Sequence, residues 1–190
     1  MIRRHRPRTV LELGAGFSTL VSAAAVRANR ADGYDTRLIS FDPYASRTQA
    51  AKVDGLAELR PIAAEQLPPS EYAALGAGDI LFIDTSPTVR LGGDVVHLFC
   101  EVMPRLEPGV LVHVHDIYLP YTYPREWYEQ FGWYWAKQYL LQALLAGNAR
   151  LEVIAGMYAL WRDRRERLTA AIPTVATGEA PLSFWLRVNG

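Results

Sequence analysis

The sequence predicts a doubly wound α/β fold, in which helices cover both faces of a mostly parallel sheet. Apolar runs typical of buried strands alternate with segments of helical composition along most of the chain. Four of these runs end in glycine, aspartate or histidine, and open α/β proteins bind ligands beyond this edge of the sheet. Half of the 190 residues are apolar, which allows a single domain over residues 1–190 with its own core.

The expected elements follow one another with short connections. Strands are expected at residues 10–13, 36–42, 57–62, 79–86 and 109–117, and two closing strands that pair antiparallel at 149–157 and 182–188. Helices are expected at residues 18–30, 47–56, 69–78 and 92–106, and a long one at about 124–147. Cys100 falls in the apolar pattern of the fourth helix and is expected in the core.

The first strand runs into a glycine-containing turn in the stretch "TVLELGAGFSTLV". Gly14 and Gly16 allow the backbone to approach a ligand closely, and the free N–H groups of the following helix favour polar or anionic groups. The turn is therefore a candidate seat for a nucleotide or cofactor. An ordinary strand-to-helix turn is the alternative, because Gly-x-Gly alone is a weak signal.

Two acidic residues accompany this turn. Asp42 ends the second strand, where a carboxylate can accept both hydroxyls of a ribose; a solvated strand end is the alternative. Glu12 lies within the apolar first strand and needs a cationic ligand group or a backbone donor. Position 19 is threonine, whereas the dehydrogenase pattern Gly-x-Gly-x-x-Gly requires glycine there.

The pattern Glu-x-Gly-x-Gly, followed by a second strand that ends in an acid, resembles motif I of the class I S-adenosylmethionine-dependent methyltransferases. The stretch "LFIDTSPTVRLGGDVVHLFCEVMPRLEPGVLVHVHDIYLPYTYPREW" and the closing "SFWLRV" resemble the bacterial methyltransferase group often called family 24. The resemblance covers nearly the whole chain. It implies a Rossmann-like sheet of seven strands with the last antiparallel, and methyl transfer from S-adenosylmethionine to a small acceptor.

The resemblance also implies which residues bind the cofactor. They are Glu12, Gly14, Gly16, Ser18, Thr19, Asp42 and Asp84, with Glu65 and Gln66 expected beside the adenine. Class I methyltransferases commonly carry helices before the first strand, and about eight residues precede it here, so a short N-terminus is expected.

Asp84 and Asp116 end neighbouring strands of the predicted sheet, so the two carboxylates are expected to face one site. Some related O-methyltransferases hold a divalent cation with acids at these strand ends. Mg²⁺ would suit such oxygen ligands and could lower the pKa of a bound hydroxyl. In the alternative, Asp84 contacts only the cofactor and Asp116 caps the loop.

His115 lies at the end of the fifth strand, where acid–base catalysis by His115 and Asp116 is expected. His113 is expected in the core. The family pattern Asp-x-Ser-His after the fourth strand would place a histidine at position 87, but the residue there is Pro87, which cannot transfer a proton. This departure affects the proton-transfer step more than cofactor binding.

Aromatic residues are concentrated after the fifth strand. Tyr118, Tyr121 and Tyr123 are expected to wall an acceptor pocket. A second set recurs at helical spacing and is expected to form core or a dimer surface: Trp127, Phe131, Trp135 and Tyr139.

The formal net charge is zero, with twenty basic and twenty acidic side chains, which argues against nucleic acid or a membrane as the main partner. A small-molecule acceptor, a cytoplasmic location and a possible homo-oligomer are expected. The preferred interpretation is an O-methyltransferase acting on a sugar or natural product. The alternatives are a cofactor-binding protein of the same fold with weakened catalysis and an NAD(P)-dependent oxidoreductase.

Overall fold

The computed structural model describes residues 1–45 and 53–190. The helix expected at residues 47–56 lies mostly outside the described residues, and its described part, residues 53–56, is a turn. Within the described ranges no helix is long and apolar enough to cross a membrane.

Seven strands form one sheet in the described residues. They are β1 (Thr9–Leu13), β2 (Arg37–Phe41), β3 (Glu58–Arg60), β4 (Ile80–Ile83), β5 (Leu111–Val114), β6 (Leu151–Gly156) and β7 (Phe184–Val188). Their spatial order is β3-β2-β1-β4-β5-β7-β6. Strands β1 to β5 pair in parallel, and β7 is antiparallel to both of its neighbours. The predicted fold class, with its antiparallel last strand, is confirmed.

Among the described helices, one precedes β1, and the others lie between strands in the sequence. They are α1 (Ile2–His5), α2 (Phe17–Ala31), α3 (Pro69–Ala73), α4 (Asp94–Val96), α5 (Arg125–Glu129), α6 (Lys137–Leu145), α7 (Met157–Asp163) and α8 (Arg165–Ala171). A π-helical segment, His97–Val102, and a 3-10 turn, Met103–Arg105, continue α4. Further 3-10 turns are Ala64–Gln66 and Pro173–Ala176.

Both faces of the sheet are buried, as the alternation of side chains along β1 shows. Leu11 belongs to the larger apolar cluster, whereas Val10 packs with Ala23 and Val26 of α2 in a second cluster. Glu12 follows the same alternation and lies on the α2 side of the sheet. The helix that starts at the glycine turn therefore covers the one acid inside β1.

The expected long helix at residues 124–147 is wrong. The structure has α5 and α6 instead, and Gly132 between them adopts the left-handed φ of 67°. The aromatic rings pack on one another across this break, with the Trp127 and Trp135 centroids 4.5 Å apart. Helical spacing of aromatic residues therefore reflected a compact cluster and not one helix face.

One smaller expectation also differs from the structure. Cys100 lies in the π-helical segment but is exposed, because the helix turns its side chain away from the sheet. The connection between the two closing strands contains the helices α7 and α8.

Candidate active site

The turn after β1 packs directly against the end of β4. Gly14 has a φ of 94°, and its N–H donates a hydrogen bond to the carbonyl oxygen of Phe41 at 2.8 Å. A Cβ at Gly14 would lie 2.1 Å from the carbonyl oxygen of Asp84. Because no side chain fits there, glycine at position 14 lets three strand ends meet.

Asp42 joins the end of β2 to the same turn. Its Oδ2 accepts a hydrogen bond from the N–H of Ala15 at 2.9 Å, and its Oδ1 accepts one from the N–H of Tyr44 at 2.6 Å. Each carboxylate oxygen can accept a further hydrogen bond, so these contacts leave capacity for ribose hydroxyls.

A cleft with about 1120 Å³ of open space, partly continuous with solvent, lies over these strand ends. Of the residues expected at the cofactor, Gly14, Asp42, Glu65 and Asp84 line this cleft. The other expected residues do not line it: Glu12, Gly16, Ser18, Thr19 and Gln66. The cleft thus runs from the predicted ribose position toward the end of β4.

Glu12 and Thr19 lie beneath the turn and are both fully buried. The Thr19 hydroxyl donates to Glu12 Oε2 at 2.7 Å, and its oxygen accepts a hydrogen bond from the N–H of Gly16 at 3.0 Å. Burial raises the pKa of Glu12 to about 7, although the Thr19 hydrogen bond opposes this rise. Among the described residues, Glu12 Oε1 and the hydroxyl oxygens of Ser18 and Ser40 have no partner at good hydrogen-bond geometry, although both serines lie close enough to Glu12 to lower its pKa.

Asp84, His115 and Asp116 form one cluster at the ends of β4 and β5. His115 Nδ1 lies 2.9 Å from Asp116 Oδ1 and 3.4 Å from Asp84 Oδ1. Asp116 has a φ of 60°, a conformation that aspartate adopts more readily than most residues, and its carbonyl oxygen accepts a hydrogen bond from the Tyr123 hydroxyl at 3.0 Å. The structure therefore brings both predicted catalytic residues together with Asp84.

Sequence reasoning missed Lys137, which belongs to the same cluster. Its side chain is fully buried, and its Nζ lies 3.5 Å from Asp116 Oδ2. Lys137 lies 21 positions after Asp116 in the sequence, and the loops around α5 lie between them, so no periodic pattern connects the two residues. The available signal was a charged residue within the apolar and aromatic stretch "WYWAKQYLLQALL".

The charges in this cluster shift one another's pKa. Burial lowers the pKa of His115, but its hydrogen bond to Asp116 and the charge of Asp84 outweigh burial and raise it overall. Burial raises the pKa of Asp84. Burial has the same effect on Asp116, yet the contacts with His115 and Lys137 hold its pKa below the usual value. At neutral pH, Asp116 is thus an anion held between two basic groups.

Three further predictions concern nearby residues. His113 is buried and stacked on Phe82, with ring centroids 3.9 Å apart, which confirms its place in the core. Tyr118 and Tyr123 are also buried and pack against each other with centroids 5.5 Å apart, and their place in the wall of an acceptor pocket stays a prediction.

The comparisons with known proteins assign the family. The family model Methyltransf_24, described as a methyltransferase domain, matches residues 11–117, which is 107 of the 190 residues. The chain belongs to this methyltransferase family. It is accordingly a class I S-adenosylmethionine-dependent methyltransferase, as the sequence resemblance implied, and the oxidoreductase alternative is set aside.

Solved structures of similar fold carry titles that name CmcI. "CmcI-N160 apo-structure" has a TM-score of 0.59 at 19% identity, covering 100% of this chain and 68% of that one. "cmcI-N160 SAH" has a TM-score of 0.56 at 20% identity, with coverages of 100% and 73%. "cmcI-D160 Mg-SAM" has a TM-score of 0.57 at 19% identity, with coverages of 99% and 68%. At these identities the likeness establishes the fold alone. No curated protein sequence matches the chain significantly.

The residues at the turn fit S-adenosylmethionine. The buried carboxyl group of Glu12, with Ser18 beside it, suits the polar, positively charged methionine end of this cofactor, because a nearby cation would favour the ionised form of Glu12. The carboxylate of Asp42 suits its ribose hydroxyls. Glu12 and Ser18 remain predicted cofactor residues, which the cleft lining alone does not test.

The acidic cluster fits Mg²⁺ poorly. One ligand atom from each of Asp84, His115 and Asp116 lies within 4.8 Å of the other two, but only two of these residues offer the oxygen ligands that Mg²⁺ prefers. The ammonium group of Lys137 also lies beside Asp116, where it would repel a divalent cation.

Proposed function

We propose that this methyltransferase methylates a hydroxyl group of a small acceptor, with His115 as the general base and Asp116 orienting it. The observation that carries the proposal is the contact of 2.9 Å between His115 Nδ1 and Asp116 Oδ1 at the strand end beside the cleft. If Nδ1–H donates to Asp116, the lone pair resides on Nε2, the tautomer that a general base requires.

S-adenosylmethionine supplies an electrophilic methyl group when it is bound. The acceptor oxygen forms a bond to this methyl carbon as the bond from carbon to sulfur breaks, which leaves S-adenosylhomocysteine. His115 takes the hydroxyl proton at Nε2, and the carboxylate of Asp116 stabilises the resulting imidazolium. Asp84 lines the cleft and lies 3.4 Å from His115 Nδ1, so it links the cofactor side to the base.

The sequence also suggested Mg²⁺ held by Asp84 and Asp116, and one structural neighbour carries Mg in its title. This proposal assigns no step to a metal, because His115 and Lys137 already engage the oxygens that would bind it.

A second candidate is a cofactor-binding protein of this fold with weakened catalysis. Pro87 favours it, because the position at which the family pattern has histidine offers no proton-transfer group. The carbonyl oxygen of Pro87 accepts hydrogen bonds from the N–H groups of Ala136 and Lys137, so this segment serves packing. Whether His115 acts as a general base therefore distinguishes the two candidate functions.

The test is a screen of sugars and phenolic or polyketide hydroxyl compounds with S-adenosylmethionine carrying a deuterated methyl group, read by mass spectrometry. For a methylated acceptor, the rate is expected to rise with pH through an inflection above 6.5, the ordinary pKa of histidine. His115→Ala should lower the rate by about 10² to 10⁴ and remove this inflection. Binding of S-adenosylhomocysteine without transfer to any acceptor would favour the second candidate.

A further inference from the structure

Lys137 is a buried cation next to the paired carboxylates of the site. Its side chain is fully buried, and the 3.5 Å between its Nζ and Asp116 Oδ2 suits an ion pair more than a hydrogen bond. Taking an ammonium group out of water is costly unless a negative charge compensates it. Burial lowers the pKa of Lys137, and the carboxylate of Asp116, together with the charges of Asp84 and Asp94, opposes this effect and favours the ammonium form.

Two loops fix the position of Lys137. The N–H groups of Ala136 and Lys137 donate to the carbonyl oxygen of Pro87 at 3.0 and 2.9 Å, which ties the start of α6 to the loop after β4. The side chain of Gln138 accepts a hydrogen bond from the N–H of Tyr118 at 3.0 Å, which ties the start of α6 to the loop after β5. The segments that carry Asp84 and Asp116 therefore also position the lysine.

The carboxylates around Lys137 each already have another partner. Asp116 Oδ1 contacts His115 Nδ1 at 2.9 Å, and Asp84 Oδ1 lies 3.4 Å from the same nitrogen. Both oxygens of Asp94 accept hydrogen bonds from Ser86, at 2.7 to 2.9 Å. A divalent cation would have to displace His115 and remain near an ammonium group that water does not screen.

The choice of lysine also fits a compact internal cation. The chain carries lysine only at positions 52 and 137 and otherwise uses arginine. A guanidinium group is broad and presents five N–H donors, whereas an ammonium group concentrates its charge in a small volume. The buried position beside Asp116 thus holds the smaller of the two cationic groups.

We infer that Lys137 is the fixed cation of this site and takes the place that a divalent metal would have beside Asp84 and Asp116. Lys137 is then a positioning residue: it holds Asp116, and Asp116 holds the ring of His115 for proton transfer. The transfer step rests on the proposed function, whereas the exclusion of metal is independent of it.

The first arm of the test measures Mn²⁺ binding by electron paramagnetic resonance of the free ion. The proteins are wild type, Lys137→Met and the control Arg125→Gln, which removes an exposed cation on α5. Wild type and the control are expected to bind Mn²⁺ more weakly than about 1 mM, and Lys137→Met at least tenfold more tightly. Adding Asp84→Asn to Lys137→Met should abolish the gain. Binding by wild type below about 0.1 mM that Asp84→Asn removes would overturn the inference.

The second arm measures methyl transfer. Wild type should keep its full rate in excess chelator, and Lys137→Met should lose at least about tenfold in kcat, with S-adenosylhomocysteine affinity unchanged within about twofold. Its pH inflection should move upward, since removal of the ammonium group favours protonated His115. Loss of wild-type turnover in chelator, or a full rate in Lys137→Met, would contradict the inference.

Two controls keep the outcomes separate. If circular dichroism shows that Lys137→Met does not fold, Lys137→Gln replaces it, and the wild-type Mn²⁺ and chelator measurements decide without any variant. If no acceptor is methylated, the proposed function fails while the Mn²⁺ titration still decides the question of metal.

Discussion

Glu12 is a fully buried carboxyl group whose proton the folded protein holds tightly. Burial raises its pKa from 4.5 to about 7. Because the folded state binds this proton more strongly than the unfolded chain, the contribution to stability is present below pH 4.5 and is lost as pH rises through about 7. The difference corresponds to about 3 kcal/mol between the two limits.

Glu12→Gln tests this charge in the protein without cofactor. The amide keeps an acceptor for the Thr19 hydroxyl but stays neutral at every pH. We expect the variant to be more stable than wild type at pH 8, by up to about 3 kcal/mol, with the difference falling below about 1 kcal/mol at pH 5. Urea unfolding at the two pH values measures the difference.

Glu126→Gln is the matched control, because Glu126 is exposed on α5 and its loss of charge should not produce this pH dependence. Saturating S-adenosylmethionine should reduce the amount by which wild type is less stable than Glu12→Gln at pH 8, since a cation near Glu12 favours its ionised form. If the unfolding free energies of wild type and Glu12→Gln change in parallel from pH 5 to pH 8, burial does not raise the pKa of Glu12.

The sequence predicts the site residues that end strands, because the carboxyl ends of parallel strands meet at one edge. Asp42, Asp84, His115 and Asp116 are all brought there as expected. Lys137 could not be predicted in this way, because its position depends on the path of two loops and on the break between α5 and α6.

At the scale of elements, the glycine turn between β1 and α2 offers a matched pair of substitutions. A Cβ at Gly14 would overlap the carbonyl of Asp84, and its φ of 94° also disfavours alanine. Among the described residues, no heavy atom lies within 4 Å of such a Cβ at Gly16, and its φ of −172° is open to any residue. Glycine is therefore required sterically at position 14 but not at position 16.

We expect Gly14→Ala to destabilise the protein by more than about 2 kcal/mol, because both strain and overlap result. Gly16→Ala should change stability by less than about 1 kcal/mol, yet weaken S-adenosylhomocysteine binding if the cofactor contacts this turn. Thermal unfolding and calorimetric titration measure the two effects. Equal stability losses in both variants would contradict the account of the turn, and unchanged binding in Gly16→Ala would move the cofactor away from Gly16.

The strands were more predictable than the helix that follows β5. Alternating apolar runs identify parallel strands, and the structure confirms them. Residues 124–147 contain no proline after Pro124, and their composition suits a helix. What breaks it is tertiary packing: the N–H of Trp133 donates to the carbonyl oxygen of Trp127 at 2.7 Å, and the surrounding aromatic rings cluster around this contact.

At the scale of the whole molecule, the site exists only when the sheet is assembled. Gly14, Asp42 and Asp84 come from β1, β2 and β4, which are adjacent in the sheet but separate in the sequence. His115 and Asp116 follow β5, and α6 adds Lys137. Cofactor binding in this cleft therefore reports the arrangement of the entire parallel part of the fold.

The most direct test is calorimetric titration of S-adenosylhomocysteine into wild type, Asp42→Ala and Asp42→Asn. The account predicts that wild type binds, and that Asp42→Ala loses about 1.5 to 3 kcal/mol of binding free energy, or about 10- to 150-fold in affinity. Asp42→Asn should lose less, because the amide oxygen still accepts one hydrogen bond. Thermal unfolding controls for loss of the Ala15 contact. Unchanged affinity in a folded Asp42→Ala, or tighter binding of NADH than of S-adenosylhomocysteine by wild type, would contradict the account.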